Sequence, residues 1–450
     1  MDRHPAVPAG PGGGLVGPDR PDGLRRAPTK EGIPTYDAII VGGRVAGSIT
    51  ATLLAQRNWR VLLLDRAPLP SPAVSTHFFG PTVLAFFAEL GVLDRVRATG
   101  APPLAHWHLH LGDNYYGGPM LPRATHPYNL CVRRETLDGI LLHRAEAEPL
   151  VEVRDRCSVR ALLREDGQVI GVAGAGWEEK ARVIVGADGR GSLVAQQLGV
   201  RPEYDAGALR CTFHAYWRGV HPLPEPSLEL WHDDGDVIQT GPCDGDQWVV
   251  MVSTPPERFE QLRADGGAGY ERRLRAIPAM RARLRSAERI SPVFAGKNLR
   301  NFHRPAAGPG WRLVGDALCH KDPLFGAGIA DAIAAARVLA PTLDAALSGR
   351  TSWEESAAQY AQETETRIAR RMRQGLEELT IRPPAPGQRA WIRSVLGHPG
   401  LAFELAEHCS HLFAALPADR QTFWQKAADT TAEVLGLPPA ARLTPDEDTR

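Results

Sequence analysis

The sequence predicts an α/β (α+β composite) chain with a parallel, Rossmann-like sheet, a separate antiparallel sheet and a helical C-terminal region. Three observations carry this. The apolar run Tyr36-Asp-Ala-Ile-Ile-Val41 breaks into Gly42-Gly43-Arg44-Val45-Ala46-Gly47, and a second apolar run, Val61 to Leu64, ends on Asp65. Two further strand-to-glycine junctions follow far down the chain, at Gly186-Ala187-Asp188-Gly189 and at Gly315-Asp316. Between them, apolar residues from Leu209 to Val252 recur with the period of two that antiparallel strands require.

Composition bounds what such a chain does. Its 450 residues suffice for two domains or one large composite with an ample core. Lys+Arg and Asp+Glu both total 52, so no net field favours nucleic acid or an anionic membrane. Cysteines 131, 157, 211, 243, 319 and 409 are scattered, without a C-x-x-C pair or metal-ligand spacing. This points to reduced thiols in a cytoplasmic setting and to no metal site. No uncharged apolar run reaches spanning length, and the N-terminus lacks the regions of a signal peptide. Lysine occurs only at 30, 180, 297, 321 and 426, a bias that genome composition explains.

In chain order, residues 1–34 are rich in Pro and Gly and read as a disordered leader. The βαβ unit from Tyr36 to Asp65-Arg66 has the layout of a dinucleotide site. Its glycines permit the tight turn and close helix packing, the helix N-terminus offers N–H groups to a pyrophosphate, and Asp65 can accept a ribose hydroxyl. Counted as G-x-G-x-x-G, the second glycine is replaced by Arg44. Its guanidinium either pairs with the pyrophosphate or points to solvent from a turn that never needed glycine.

A proline-rich loop leads to Ser75-Thr76-His77-Phe78-Phe79, and a helix from about Thr82 to Leu90 ends at Gly91. His106 to Leu111 alternates as a strand, with Asp113-Asn114 and Gly117-Gly118 as turn chemistry after it. A helix opens at Arg133-Arg134-Glu135-Thr136-Leu137-Asp138. Short strands fill Val151 to Val172, with Glu165-Asp166-Gly167 as a hairpin turn. Gly171, Gly174 and Gly176 have the wrong spacing for a second nucleotide loop and read as β-turn glycines. Residues from Arg258 to Arg289 are helical and arginine-rich, a solvated face. The last βα unit runs from Trp311 through Gly315-Asp316 and His320-Lys321-Asp322-Pro323 to a helix near Ile329. Beyond Thr351 the pattern is helical, with breaks at Pro383, Pro384 and Pro386.

The ordered set of junctions resembles the FAD-dependent monooxygenase family of the aromatic-hydroxylase type, related to geranylgeranyl reductases and flavin halogenases, over roughly residues 36–345. The resemblance implies a discontinuous FAD-binding domain of residues 35–105, 128–200 and 295–345, with a substrate-binding domain of residues 106–127 and 201–294. Residues 346–450 are then a C-terminal helical region. Gly42, Gly43, Val45, Ala46 and Gly47 line the FAD pyrophosphate, Asp65 holds the adenosine ribose, Arg66 is a further cofactor-binding residue, and Val159 lies against the adenine. Arg134, rather than Arg133, contacts the flavin side. Asp188 lies near FAD and the nicotinamide path, Asp316 bonds the ribityl chain, and Pro323, Gly326, Ala327, Gly328 and Ile329 face the isoalloxazine ring.

The implied reaction inserts one oxygen atom from O2 into a small organic substrate through a flavin C4a-peroxide, with NADPH or NADH as electron donor, as a tailoring step in specialised metabolism. An alkene reductase of geranylgeranyl-reductase type and a non-catalytic flavin-binding protein are the alternatives. The halogenase string W-x-W-x-I-P is absent. His77 and Lys321 are the candidate catalytic groups, against the plainer readings of a helix-capping histidine and an exposed loop lysine. His106, His108, His110, His214, Tyr216, Trp217 and Arg218 are candidates for the substrate pocket, although half of any strand faces away from it. No nucleic acid or membrane span is expected, and a homodimer or a separate flavin reductase stays open as a partner.

Overall fold

Apolar strands that end on glycine build the first layer, and the computed structural model describes residues 36–71, 75, 77–111, 114–119 and 125–379. The expected leader, Thr76, the proline breaks and the chain beyond residue 379 lie outside these. The first βαβ unit comprises β1 (Tyr36–Val41), α1 (Val45–Ala55) and β2 (Val61–Leu64). Then follow β3 (His106–Leu111), α2 (Arg134–Glu146), β4 (Val151–Arg154), β5 (Trp177–Gly186) and α3 (Leu193–Leu198). Four long strands come next, β6 (Cys211–Arg218), β7 (Ser227–Asp233), β8 (Asp236–Cys243) and β9 (Gln247–Thr254). The chain closes with β10 (Trp311–Leu313), α4 (Gly328–Leu347), α5 (Trp353–Thr364) and α6 (Arg370–Leu379).

The first sheet has the order β10-β5-β1-β2-β4, and all four of these pairings are parallel. Parallel strands need both faces covered, which is why β1 and β2 are near-continuous apolar runs. Ile39, Ile40, Leu62 and Leu63 are fully buried, each stabilising the fold by about 1.5–3 kcal/mol. An antiparallel hairpin, Ala161–Glu165 with Gln168–Gly174, extends the early half of β5. Its turn carries positive φ at Asp166 (48°) and Gly167 (80°), as the Glu-Asp-Gly sequence predicts. Gly171 and Gly174 are strand residues paired with Lys180 and Trp177, not turn glycines, and only Gly176 (φ 77°) sits in a turn; none belongs to a nucleotide loop.

The second sheet runs β6-β9-β8-β7-β3, antiparallel except that β3 lies parallel to β7. The stretch Asn114–Pro119 continues it as a strand paired to β3. Gly117 and Gly118 are therefore strand residues opposite His108 and Trp107, not turn residues, because ladder hydrogen bonds need only backbone. One face of this sheet buries Phe213, Trp217, Trp231, Val250 and Val252 against three short helices that carry Phe259, Tyr270 and Met280. The arginines there are not all solvated. Arg273 reaches Asp236, and Arg283 reaches the buried Glu229. The opposite face packs Leu228, Val249 and Met251 against Phe78, Leu104 and Cys131, of which Phe78 and Cys131 lie in a separate two-stranded ladder.

Candidate functional site

Because β1, β5 and β10 are adjacent and parallel, their carboxyl ends deliver three glycine junctions side by side. Val41 lies opposite Gly186, and Gly186 opposite Leu313. This is where an open α/β sheet offers its ligand crevice. The junctions also touch. A Cβ on Gly42 (φ 112°) would sit 2.3 Å from the Ala187 carbonyl oxygen, and one on Gly47 1.8 Å from that of Gly42. At Gly315 (φ 63°) it would sit 2.7 Å from Ala46 Cβ. These glycines are needed for proximity as much as for conformation.

Arg44 immediately precedes α1 with an extended backbone (φ −88°, ψ −161°), a conformation any residue adopts. Its guanidinium donates to Ser71 Oγ at 3.0 Å, so it ties the turn to the proline-rich loop. Among the described residues no side chain caps α1, which leaves its first-turn amides, from Val45 to Gly47, to a ligand. Asp65 accepts from the Gly43 amide at 2.8 Å and the Ala67 amide at 2.9 Å, one through each carboxylate oxygen. Arg66 is exposed. The Cys157 amide donates to the Asp65 carbonyl at 2.8 Å, which brings the segment bearing half-buried Val159 beside the end of β2.

Asp188 spends both oxygens on its own loop, accepting from Ser192 Oγ at 2.5 Å and the Val194 amide at 3.1 Å. Burial raises its pKa against the pull of those bonds. Asp316, by contrast, is exposed between buried Gly315 and Ala317. In the next loop, buried Asp322 accepts from the Leu324 amide at 3.0 Å and shapes the turn Pro323–Phe325. Gly326 (φ 65°) and Ala327 then lead into α4 at Gly328, with Ile329 buried. His320 turns away, bonding the Arg300 carbonyl and stacking on Phe302.

Lys321 is not an exposed loop charge. Its Nζ lies 2.6 Å from Asp331 in the first turn of α4, and its side chain is only 6% exposed. Sequence reasoning missed Asp331, because the pairing depends on where the helix begins.

His77 is fully buried and caps no helix. Its Nε2 lies 2.7 Å from Oη of half-buried Tyr216, which links the loop before Phe78 to β6 of the second sheet. His214, two residues before Tyr216 on the same face of β6, places its ring 5.0 Å from that of His77. Burial holds His77 well below the usual histidine pKa, with His214 and Arg134 adding to the shift, and lowers His214 to about 4. Burial likewise raises Tyr216. The other strand candidates separate by face. Trp217 points into the helical core, where it bonds Tyr270, and Arg218 is exposed. His106, His108 and His110 share the Trp217 side, His108 near Ser227 and His110 stacked on Trp231.

The two arginines at the start of α2 also separate. Arg133 is engaged by Asp244, which accepts from its amide at 2.7 Å and from its guanidinium at 2.9 Å, and takes Thr136 Oγ1 as well. Arg134 is buried and bonds Asp138 at 2.9 Å. Several buried polar atoms meet no partner among the described residues, namely Arg134 Nε, Asp138 Oδ2, His77 Nδ1 and His214 Nδ1, with Asp322 Oδ2 in the α4 loop. Native proteins rarely leave such atoms unpaired, so a bound group is expected to meet them.

A model of the FAD binding domain family matches residues 35–375. The chain belongs to that family. FAD is its cofactor, and it is an FAD-dependent oxidoreductase. It is 28% identical over 341 residues to 6-methylpretetramide 4-monooxygenase of Streptomyces rimosus, covering 69% of this chain and 77% of that protein. It is 25% identical over 362 residues to a probable electron transfer flavoprotein-quinone oxidoreductase of Escherichia coli strain K12, covering 73% and 81%. The myxobacterial chondrochloren halogenase shares the fold at TM-score 0.70 and 21% identity, over 85% of this chain and 98% of its own. The residues present fit the cofactor, given the uncapped first turn of α1, exposed Asp316 and the unpaired buried atoms. Among the described residues no helix is long and apolar enough to cross a membrane, and no group of side chains is arranged to hold a metal.

An open groove of about 650 Å³ lies elsewhere, by the far end of α1, lined by Arg57, Arg337, Arg350 and Arg367. Asp344 and Glu363 already pair two of these arginines.

Proposed function

We propose that the protein is an FAD-dependent monooxygenase that inserts one oxygen atom from O2 into a small organic substrate, with NADPH or NADH as reductant, in a specialised-metabolism tailoring step. The observation that carries this is the contact of buried His77, in the loop before Phe78, with half-buried Tyr216 on the antiparallel sheet. It marks a water-excluded polar site of the kind oxygen transfer needs. The similarity to a monooxygenase supports the same reading.

When bound, FAD supplies the electron transfer and oxygen activation. The chain's residues bind and position. Amides from Val45 to Gly47 hold the pyrophosphate, and Arg44 adds charge from the loop side. Asp65 and Arg66 meet the adenosine ribose, Val159 lies along the adenine, and Asp316 takes the ribityl hydroxyls. Asp188 shapes the second junction toward the nicotinamide path. Arg134, Pro323 and the Gly326–Ile329 backbone border the ring, where the N-terminal dipole of α4 stabilises developing negative charge. His77 holds its proton in the neutral imidazole and offers it as a hydrogen bond. Lys321, paired to Asp331, steadies the ring-side loop. In this reading residues 35–105, 128–200 and 295–345 form the cofactor part, and residues 106–127 and 201–294 the substrate part.

Incubation of holoenzyme with cell extract and NADPH tests the proposal. Product carrying one added oxygen, with oxygen uptake equal to NADPH oxidised, supports it. Equal turnover under strict anaerobiosis overturns it in favour of a reductase or dehydrogenase, the reading that similarity to the quinone oxidoreductase favours.

A further inference from the structure

The helices after α4 pack on the loop that the proposed site puts beside the flavin ring. Tyr360, Thr364, Ile368, Met372 and Leu376 recur at every fourth position and are all buried. On an α-helix of about 3.6 residues per turn, each step of four rotates by about 40°, so such a stripe would wind off the core. A π turn, Glu365–Ala369, lies between α5 and α6. Its wider winding rotates less per residue and offsets the drift. One end of the stripe is tied to β10, where Tyr360 Oη donates to the Leu313 carbonyl at 2.7 Å. Further along, Met372 Sδ accepts from the Cys319 thiol at 3.7 Å.

Three residues past Met372, Gly375 meets Phe325. A Cβ on Gly375 would lie 2.3 Å from Phe325 Cε1 and 3.2 Å from its Cδ1 and Cζ. Glycine weakens a helix interior, and here its bare backbone seats the edge of an aromatic ring. Phe325 closes the turn Pro323–Phe325, none of whose residues is fully buried. The turn therefore has little packing of its own to hold it. Its backbone moves as a unit, since the Phe325 amide donates to the Asp322 carbonyl at 3.1 Å and the Gly326 amide to that of Pro323 at 2.9 Å. Wherever α6 holds the Phe325 ring, the chain through Gly326 to Ile329 follows.

We infer that α6 is the backstop of this loop, with Phe325 and Gly375 as positioning residues that hold it closed over the flavin ring and keep solvent out. This rests on the ring placement proposed above and gives the C-terminal helix a part in the site.

The test uses the FAD-loaded full chain and quenching of flavin fluorescence by iodide. Gly375→Ala should raise the quenching constant about threefold or more and quicken FAD release by a similar factor. Phe325→Leu removes Cε1 and Cζ, the ring atoms that the new methyl would meet. Adding Gly375→Ala to it should change quenching by less than about twofold. Ser356→Ala, which loses a 2.8 Å bond to the Thr342 carbonyl elsewhere in the helices, should lower the melting temperature and leave quenching unchanged. Flavin content and melting temperature identify a Gly375→Ala protein that fails to fold, and Phe325→Ala then serves instead, with the same rise expected. Unchanged quenching in the folded variant, or an equal rise in Ser356→Ala, overturns the inference. The expected quenching pattern in an enzyme that takes up no oxygen removes the oxygenase reading and leaves the backstop standing. Oxygen-coupled turnover with quenching unchanged in Gly375→Ala does the reverse.

Discussion

Replacing Lys321 by methionine separates its two readings, an ion-pair latch and a catalytic cation. The Nζ to Asp331 Oδ2 distance is 2.6 Å. At that separation and an effective dielectric of about 20 the gross attraction is about 6 kcal/mol. Much of it is offset by the desolvation of two ions whose side chains are only 6% and 15% exposed. Removing one partner strands the other, so Lys321→Met and Asp331→Leu should each destabilise by about 3–5 kcal/mol. Lys321→Met combined with Asp331→Leu should return to within about 1 kcal/mol of wild type, since a packed apolar pair replaces the ions. Urea unfolding of the flavin-loaded protein, analysed as a double-mutant cycle, measures both quantities. The latch also joins the ring-side loop to α4, so FAD dissociation followed by fluorescence should quicken in the single variants. If Lys321→Met keeps its stability to within about 1 kcal/mol while turnover falls more than about a hundredfold, the reasoning is refuted. Lys321 would then touch the reacting groups.

Gly47→Ala places a Cβ against the Gly42 carbonyl; it should cost about 1–3 kcal/mol or more and yield protein largely free of flavin, and retention of normal FAD content would show the turn is looser than described. Arg44→Ala should weaken FAD binding about five- to tenfold, and unchanged affinity ends the pairing idea. Asp244→Ala should cost about 3 kcal/mol by leaving Arg133 and Thr136 unpaired, measured by thermal melting. For pH, His214 has a folded pKa of about 4 against about 6.5 unfolded. Above the unfolded value neither state binds the proton, so stability is flat. As pH falls from 6.5 toward 4 the unfolded state is favoured, by about 3 kcal/mol in all. His214→Phe should therefore lose less stability than wild type between neutral pH and pH 5, and an equal loss in urea titrations would contradict the assignment.

The parallel sheet was readable because three of its strands, β1, β5 and β10, run into glycine turns, a pattern local in sequence. The same holds for the Asp166-Gly167 hairpin and for the helix that ends before Gly91. Pairings between distant segments were not readable. Arg134 lies four residues before its partner Asp138, a local spacing, but nothing near Arg133 in sequence announces Asp244, more than a hundred residues later. His77 looked like one polar residue in a loop, and its importance comes from β6, well over a hundred residues later. Alternation along β6 told that His214 and Trp217 lie on opposite faces, but not which face meets the cofactor sheet. Gly117 and Gly118 misled for the opposite reason. Their composition favours turns, and the free edge of β3 took them into a ladder instead.

The sheet's three adjacent strands β1, β5 and β10 come from residues 36–41, 177–186 and 311–313. On a ribosome the first two emerge well before the third. At about 5–20 residues per second, β5 waits roughly 6–25 s with its outer edge unpaired. Gly315 and the loop before α4 arrive later still, so under the proposed placement the pocket for the ring forms only once most of the chain has been made. Under that placement cofactor capture is a late event in biosynthesis, and the newborn apoprotein passes through an interval of edge exposure that closes only when β10 is made.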